Sequence, residues 1–533
     1  MKRIFAVLAL ALLVSACSDL SPRPETELAS QNAACQNRTN NTYAKLLECV
    51  TVSGVRGHQA ALQAIADANR DPYYPGSRAA GTDGYAKSVD YVANLLRRAG
   101  YTVTLDPFEF EFVFPALLQQ LTPTAGSYGT GTYTGSGAGD VTGPVIPVDL
   151  ALTPPRASTS GCEAADFAGL NFGGRNDIAL VQRGTCPFAQ KAQNAQAAGA
   201  EAVIIFNQGN SPDREGLIVG TLGDPSGVTI PVVGASYADG VKLAAAGSTA
   251  RVRVIKSETR TDVNVIAELP GKNTSNVVMA GAHLDSVQAG PGINDNGSGA
   301  AATLEVALKM AKHRPENSLR FAFWGAEELG LVGAEAYVAE LTQAEQDRIA
   351  LYLNFDMVGS PNYVFFVYDG DDSDAVGAGA GPAGSAQIEK LFESYYAQVG
   401  RSWKGTDFSG RSDYGPFITE EVGIPSGGLF TGAEGVKTAD EAATWGGTAG
   451  QPYDPCYHLA CDAFANVNLD ALDVNSDAIA YAMLTYAYST ETVNGVRGKP
   501  VPGQQTVRGG SAARGYAGGN SSGLNDHEEA PAE

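Results

Sequence analysis

At 533 residues, with 36 Lys and Arg against 58 Asp and Glu, the chain carries a formal net charge of −22. Single hydrophobic cores stop growing at roughly 250–300 residues, so more than one domain is expected. The acidic balance repels phosphate backbones and anionic lipid surfaces alike, which argues against nucleic acid as a partner.

Lys2 and Arg3 followed by the apolar run from Ile4 to Val14 read as a secretory signal, the run being too short to span a bilayer. Within residues 1–17, Leu13-Val14-Ser15-Ala16-Cys17 resembles a bacterial lipobox, which implies an acylated Cys17 as the mature N-terminus of a membrane-anchored, exported lipoprotein. An ordinary signal with a chance cysteine, giving a secreted protein, is the alternative. No later segment is long and apolar enough to cross a membrane. Setting Cys17 aside from the seven cysteines leaves six in three local pairs, Cys35–Cys49, Cys162–Cys186 and Cys456–Cys461, matched on proximity in sequence alone.

Residues 18–40 are polar and aperiodic and read as a tether. Residues 41–130 read as the N-terminal part of the main domain, and from Gly57 to Ala99 the pattern turns helical, fitting two helices before a strand. Leu62, Ile65 and Ala66 share a face before Asp71-Pro72, and Tyr85, Val89, Val92 and Leu96 form a second stripe ending at Gly100. Between 131 and 257 the texture changes to Gly-rich turns and short β-branched runs, at Asp177 to Gln182, Val203 to Phe206 and Val228 to Val233, the mark of a β-rich insert. Gly184-Thr185-Cys186-Pro187-Phe188, Lys191, Asn194 and the run through Ala198-Gly199-Ala200 to Asn207 resemble the protease-associated domain inserted in several exopeptidases and subtilases. Such a domain implies a lid over substrate or a stabilising appendage.

From 258 to 495, strand-like runs Val263 to Leu269, Asn276 to Ala282, Leu319 to Trp324 and Ile349 to Phe355 alternate with helical stretches, Gly299 to His313 among them. The expected fold class is α/β, with a mixed, mostly parallel central sheet flanked by helices. Residues 496–533 have hardly any apolar anchors and read as a disordered tail.

The later apolar runs each end in a metal-capable side chain: His283 and Asp285 after Ala282, Glu327 and Glu328 after Trp324, Asp356 after Phe355. Ligands of open α/β sheets bind beyond the carboxyl ends of the strands, so these residues should converge. Asp295 lies in the Gly-rich loop from Gly290 to Gly297, where backbone freedom can bring a carboxylate to the same place. Of five histidines, His58, His313 and His527 read as a helix start, an exposed helix end and tail, which leaves His283 and His458. His458 sits in Cys456-Tyr457-His458-Leu459-Ala460-Cys461-Asp462, a loop that a disulfide would hold rigid. Two imidazoles with several carboxylates suit two ions of zinc, with a position left open for water.

Ala282-His283-Leu284-Asp285-Ser286, the loop from Gly292 to Gly299, Trp324-Gly325-Ala326-Glu327-Glu328-Leu329-Gly330, Asn354-Phe355-Asp356-Met357-Val358-Gly359 and Tyr457-His458 resemble, in order, the secreted bacterial leucine aminopeptidase family of dizinc exopeptidases. The resemblance implies that Asp295 bridges two Zn2+ ions, with His283 and Asp356 completing one site and Glu328 and His458 the other. It further implies Glu327 as general base, Asp285 as the holder of the outer His283 nitrogen and Tyr457 as donor to a tetrahedral oxyanion. Arg411, in Gly410-Arg411-Ser412-Asp413-Tyr414, and Phe430 look like the family's substrate-contacting positions, with a plain ion pair and a core aromatic as alternatives. Asp473 and Asp477 resemble a calcium pair of some relatives, although two carboxylates are few for a calcium shell.

The expected function is removal of N-terminal, apolar residues from peptide substrates outside the cytoplasm. Carboxypeptidases and glutaminyl cyclases carry the same metal set and stand as alternatives, as does a peptide-binding lipoprotein that has lost catalysis. Asp356 in place of Glu, and Tyr457-His458, favour the aminopeptidase; an intact Glu327 argues against lost catalysis. Competing motifs are poor. Gly519-Asn520-Ser521-Ser522-Gly523 lacks the strand and helix of a nucleophile elbow, and Gly377 to Gly384 lacks the Lys-Ser/Thr of a phosphate loop.

Overall fold

A strand buried on both faces needs an unbroken apolar run, and the carboxyl-terminal half of the chain supplies several. The computed structural model describes residues 34–503, apart from 36 and 224, so Cys17, His527 and the Gly519 to Gly523 string lie outside the described residues. Strand β1 (Thr102–Phe112) is followed by β2 (Leu117–Thr122), β3 (Gly126–Ser127), β4 (Gly139–Pro147), β5 (Ile178–Gln182), β6 (Ala202–Phe206), β7 (Val232–Ala235) and β8 (Thr249–Val254). Then come β9 (Glu258–Leu269), β10 (Asn273–His283), β11 (Asn317–Trp324), β12 (Ile349–Phe355), β13 (Phe366–Tyr368), β14 (Lys404–Thr406) and β15 (Ser426–Phe430).

The main sheet has eight strands in the order β1-β9-β11-β10-β12-β15-β13-β14. Its centre, β11-β10-β12-β15, is parallel, and β9 and β13 run antiparallel at either margin, which is the mixed sheet expected. Helices α1 (Val52–Ala68), α2 (Asp83–Ala99), α3 (Gly297–Met310), α4 (Val332–Glu340), α5 (Ser385–Val399) and α6 (Leu469–Tyr488) surround it. Thr51 and Thr82 cap α1 and α2 by accepting N–H bonds from Gly54 and Tyr85, and α2 ends at left-handed Gly100. The apolar stripes of α1, α2, α3, α5 and α6 share one core with the inner face of the sheet. A second core of Met279, Trp324, Tyr352 and Phe417 with Ala334 and Tyr337 of α4 covers the other face. The helix expected at Gly299 to His313 starts at Gly297, because the Asn296 side chain caps it, and ends at Met310.

The second sheet has seven strands, β3-β2-β8-β4-β5-β6-β7, with its own two cores. It takes in β2 and β3, so the second sheet begins upstream of the expected residue 131; Leu117-Leu118-Gln119-Gln120-Leu121-Thr122 shows no alternation in sequence and is a strand through its antiparallel pairing with β8. Strand β7 starts at Val232, four residues after Val228, because Pro231 has no N–H for a ladder. The whole unit is spliced into a hairpin: β1 and β9 pair antiparallel and Phe112 faces Glu258 across it.

Two expected flexible segments are shorter than the composition suggested. Within the tether of 18–40, Cys35 is buried and disulfide-bonded to Cys49, and buried Asn40 donates to the Lys309 carbonyl. At the start of the 496–533 tail, Val501 is buried and the Lys499 N–H donates to the Tyr488 carbonyl. A disulfide and a side-chain amide tie down the first segment, and a buried Val with a backbone bond ties down the second. The Cys162–Cys186 and Cys456–Cys461 bonds also form as expected.

Candidate active site

The four central parallel strands end at one edge, and each delivers chemistry there. His283 is the last residue of β10, Asp356 follows β12 directly, Phe430 ends β15, and Glu327 and Glu328 lie in a tight turn just past β11. Asp295 arrives on the loop between β10 and α3. Gly292 in that loop has a φ of +60°, and a Cβ there would meet the Asp295 carbonyl at 2.4 Å, so only glycine fits.

The expected ligands converge. His283 Nε2 lies 3.2 Å from Asp295 Oδ1, 3.4 Å from Asp356 Oδ1 and 3.8 Å from Glu327 Oε2. His458 Nε2 lies 3.4 Å from the other Asp295 oxygen, Oδ2, and 3.0 Å from Glu328 Oε2. Ligand atoms of His283, Glu327 and Asp356, and again of His283, Asp295 and Glu328, gather within 4.8 Å of one another. Glu327 thus stands among the ligand candidates, and distance alone does not separate a base from a ligand. Asp285 Oδ1 is 3.5 Å from His283 Nδ1 without an aligned hydrogen bond, and its carboxylate accepts the N–H groups of Glu327 and Glu328 at 3.3 and 3.4 Å. Ser412 donates to Asp356 Oδ2 at 2.6 Å.

The donor set fits metal ions. Glu328 Oε1 and Asp356 Oδ1 are buried with no hydrogen-bond partner, a costly state for carboxylate oxygens unless a cation takes them. Burial pushes Glu327 well above the usual carboxylate range and Glu328 up to about 8, and neighbouring carboxylates add to both. Burial also opposes ionisation of Asp295, but hydrogen bonds from His283 and His458 outweigh it and hold the group below its usual range. At His458, burial is outweighed by bonds to Asp295 and Glu328, which lift the imidazole to about 10. The cluster therefore draws positive charge to its imidazoles, and a divalent ion binding there must displace those protons.

Asp295, Glu327, Glu328, Asp356 and His458 floor a cavity of about 320 Å³ whose walls include Met357, Phe366, Tyr368, Phe430 and Tyr453. Arg411 and Tyr457 stand at the same cavity, with Arg411 Nη1 2.7 Å from Glu434 and Nη2 3.3 Å from the Tyr457 hydroxyl. Every lining residue falls between 295 and 458, and none belongs to the insert.

Other expectations land elsewhere. His58 lies on α1, bonded to the Tyr91 hydroxyl and Glu305. His313, expected at an exposed helix end, is buried against the Tyr488 ring with neither nitrogen hydrogen-bonded, because the chain past Met310 turns inward beneath α6. Asp473 accepts the Val52 N–H, and Asp477 keeps one buried oxygen without a partner. Neither joins a three-residue metal-capable group among the described residues. Asp369, Asp371 and Glu389 do form one, outside the cavity, but loop N–H groups already occupy Asp369 and one oxygen of Glu389.

Sequence reasoning missed a supporting layer. Arg78 is fully buried and donates to the carbonyls of Leu284, Pro291 and Gly292. Asp462 accepts the N–H groups of Asn294 and Asp295, and Asp413 is buried with neither oxygen hydrogen-bonded. Only the position of Asp462, directly after a cysteine of the His458 loop, was a signal.

An α/β sheet with carboxylates and imidazoles gathered at its strand ends defines the class: a protein with a metal-capable centre and an inserted domain. The family model for peptidase family M28 matches residues 264–483, and that for the PA domain matches 141–243. An aminopeptidase of Pseudomonas aeruginosa is 47% identical over 508 residues, covering 92% of each chain. A probable lipoprotein aminopeptidase of Mycobacterium tuberculosis is 42% identical, covering 86% of this chain and 88% of its own. The solved zinc aminopeptidase of Bacillus subtilis superposes with a TM-score of 0.55 at 26% identity, over 81% of this chain and 94% of its own. The chain belongs to peptidase family M28 and is a metal-dependent aminopeptidase. The carboxypeptidase, cyclase and binding-only alternatives gain no support from these relatives.

Proposed function

We propose that the chain removes apolar N-terminal residues from peptides at a site holding two zinc ions, His283, Asp295 and Asp356 serving one and Asp295, Glu328 and His458 the other. The observation that carries this reading is the split of the Asp295 carboxylate, one oxygen toward each imidazole. Zinc bound there supplies a Lewis acid for the scissile carbonyl and lowers the pKa of water. Glu327, buried and pushed toward protonation by its surroundings, takes the proton of the attacking water and passes it to the leaving amine. The Tyr457 hydroxyl, already accepting from Arg411, keeps its own proton free to donate to the developing oxyanion. Phe430, Met357 and Phe366 give an apolar first side chain a dry wall, and Arg411 and Glu434 form the polar rim.

Asp285 holds His283 and the turn of Glu327 in register. A calcium ion at Asp473 and Asp477 has as support one buried, unpaired oxygen on Asp477. Acylation of Cys17, anchoring the enzyme to a membrane after export, is supported by the lipobox and by the relative described as a lipoprotein. Glu327→Gln is expected to keep its zinc and lower kcat by about 10²–10⁴-fold, because only proton transfer is lost. Zinc analysis beside steady-state kinetics on an aminoacyl nitroanilide checks this, and near-normal turnover by the variant would end the assignment.

A further inference from the structure

We propose that Asp462 and Asp454 are positioning residues that tie the Asp295 loop to the His458 loop, so that the two halves of the metal site form together. The inference rests on the two-zinc reading above. His458 sits inside the loop closed by the Cys456–Cys461 disulfide, and these two aspartates bracket that loop, 1% and 2% exposed. Asp454 accepts the Cys456 N–H at 2.8 Å and the Asn294 side-chain amide at 2.7 Å. Asp462 accepts the backbone N–H of Asn294 at 2.8 Å and of Asp295 at 2.9 Å. Its own carbonyl takes the Ile293 N–H at 3.1 Å, and the Asn466 amide bridges both carboxylates.

On the opposite side, Arg78 Nε donates to the Pro291 carbonyl at 2.8 Å and Nη2 to the Gly292 carbonyl at 2.6 Å. The turn that delivers the bridging carboxylate is therefore gripped by a cation on its carbonyls and an anion on its N–H groups. Two N–H bonds to one carboxylate fix the peptide planes on either side of Asn294, and with them the direction in which the Asp295 side chain leaves the backbone. Asp462 must accept from three donors at once. A carboxylate does this with no donor of its own, whereas an Asn amide would turn N–H against N–H.

The test uses the full-length enzyme dialysed through a series of chelator-buffered zinc concentrations, with bound zinc counted by mass spectrometry. Wild type is expected to hold two ions. Asp462→Asn is expected to bind the ion at Glu328 and His458 about 10–100-fold more weakly and to settle at one ion at intermediate zinc. At saturating zinc it should recover most of its kcat, because no group that touches substrate has changed. Cys456→Ser with Cys461→Ser frees the same loop by another route and should weaken the same ion. Circular dichroism establishes that each variant is folded, and Asp454→Asn takes the place of Asp462→Asn if that variant is not. Two zinc ions held at wild-type affinity by the folded variants would overturn the inference. A wild-type count below two would instead overturn the two-zinc reading.

Discussion

Both sheets of this protein are built on fully buried parallel runs, yet only one of them carries chemistry. In the insert, β5 and β6 are as buried as β12 and the stretch of β10 from Asn276 on, but their ends carry Arg183 and Asn207. Asn207 uses its side chain on its own loop, donating to the Gly216 carbonyl and accepting the Gln208 N–H. In the main sheet the corresponding ends carry Glu328 and Asp356, each with a buried carboxylate oxygen that accepts no hydrogen bond among the described residues. Architecture places side chains at a strand end, and their unmet bonding makes the end a site.

The sharpest way to break this contrast is at Asp295, the carboxylate proposed to bridge the two ions. Asp295→Ala is expected to lose zinc and drive peptide hydrolysis to the blank rate, as measured by metal analysis and amine release; retained turnover would mean that the strand ends are scaffold after all. A smaller effect is expected from removing the other sheet. Phe114 and Ile255 belong to one apolar cluster, so a short Gly/Ser linker can replace residues 116–254. The shortened enzyme should turn over a single-residue nitroanilide at close to the wild-type rate while its preference between long and short peptides shifts. If kinetics are unchanged at every peptide length, the insert is an appendage rather than a lid.

The smallest effect concerns pH. Burial drops His313 to about 4, and no histidine of the chain lies within the insert. Below pH ~6.5 the unfolded chain takes up a proton that the folded one refuses until pH ~4, so stability falls with acidification across that window by up to ~1.4 kcal/mol per pH unit. His313→Phe should flatten that slope in urea melts at pH 5 and 7.5, and an unaltered slope would acquit His313.

Three of the proposed ligands, His283, Glu328 and Asp356, could be read from the sequence because each lies at or just past the end of an apolar run, and the strands were legible from the same runs; Asp295 and His458 stood out only through a Gly-rich loop and a disulfide loop. The supporting layer could not be read. Arg78 meets carbonyls more than two hundred residues away, and no periodicity around Ser77 and Ala79 announces it. The start of the insert was missed because Leu117 to Thr122 has no apolar/polar alternation to mark it as a strand; only its pairing with β8 assigns it to the second sheet. Val501 was lost in a polar stretch because a single apolar residue carries no pattern.

The hairpin splice also bears on how the chain finds its shape. Pairing β1 with β9 across an unstructured stretch would demand the closure entropy of a very long loop. Once the intervening unit has collapsed around its own cores, its two exits lie side by side and the gap to be closed shrinks to a few residues. An insert that folds first would act as a splint, presenting the edge of the peptidase sheet to itself.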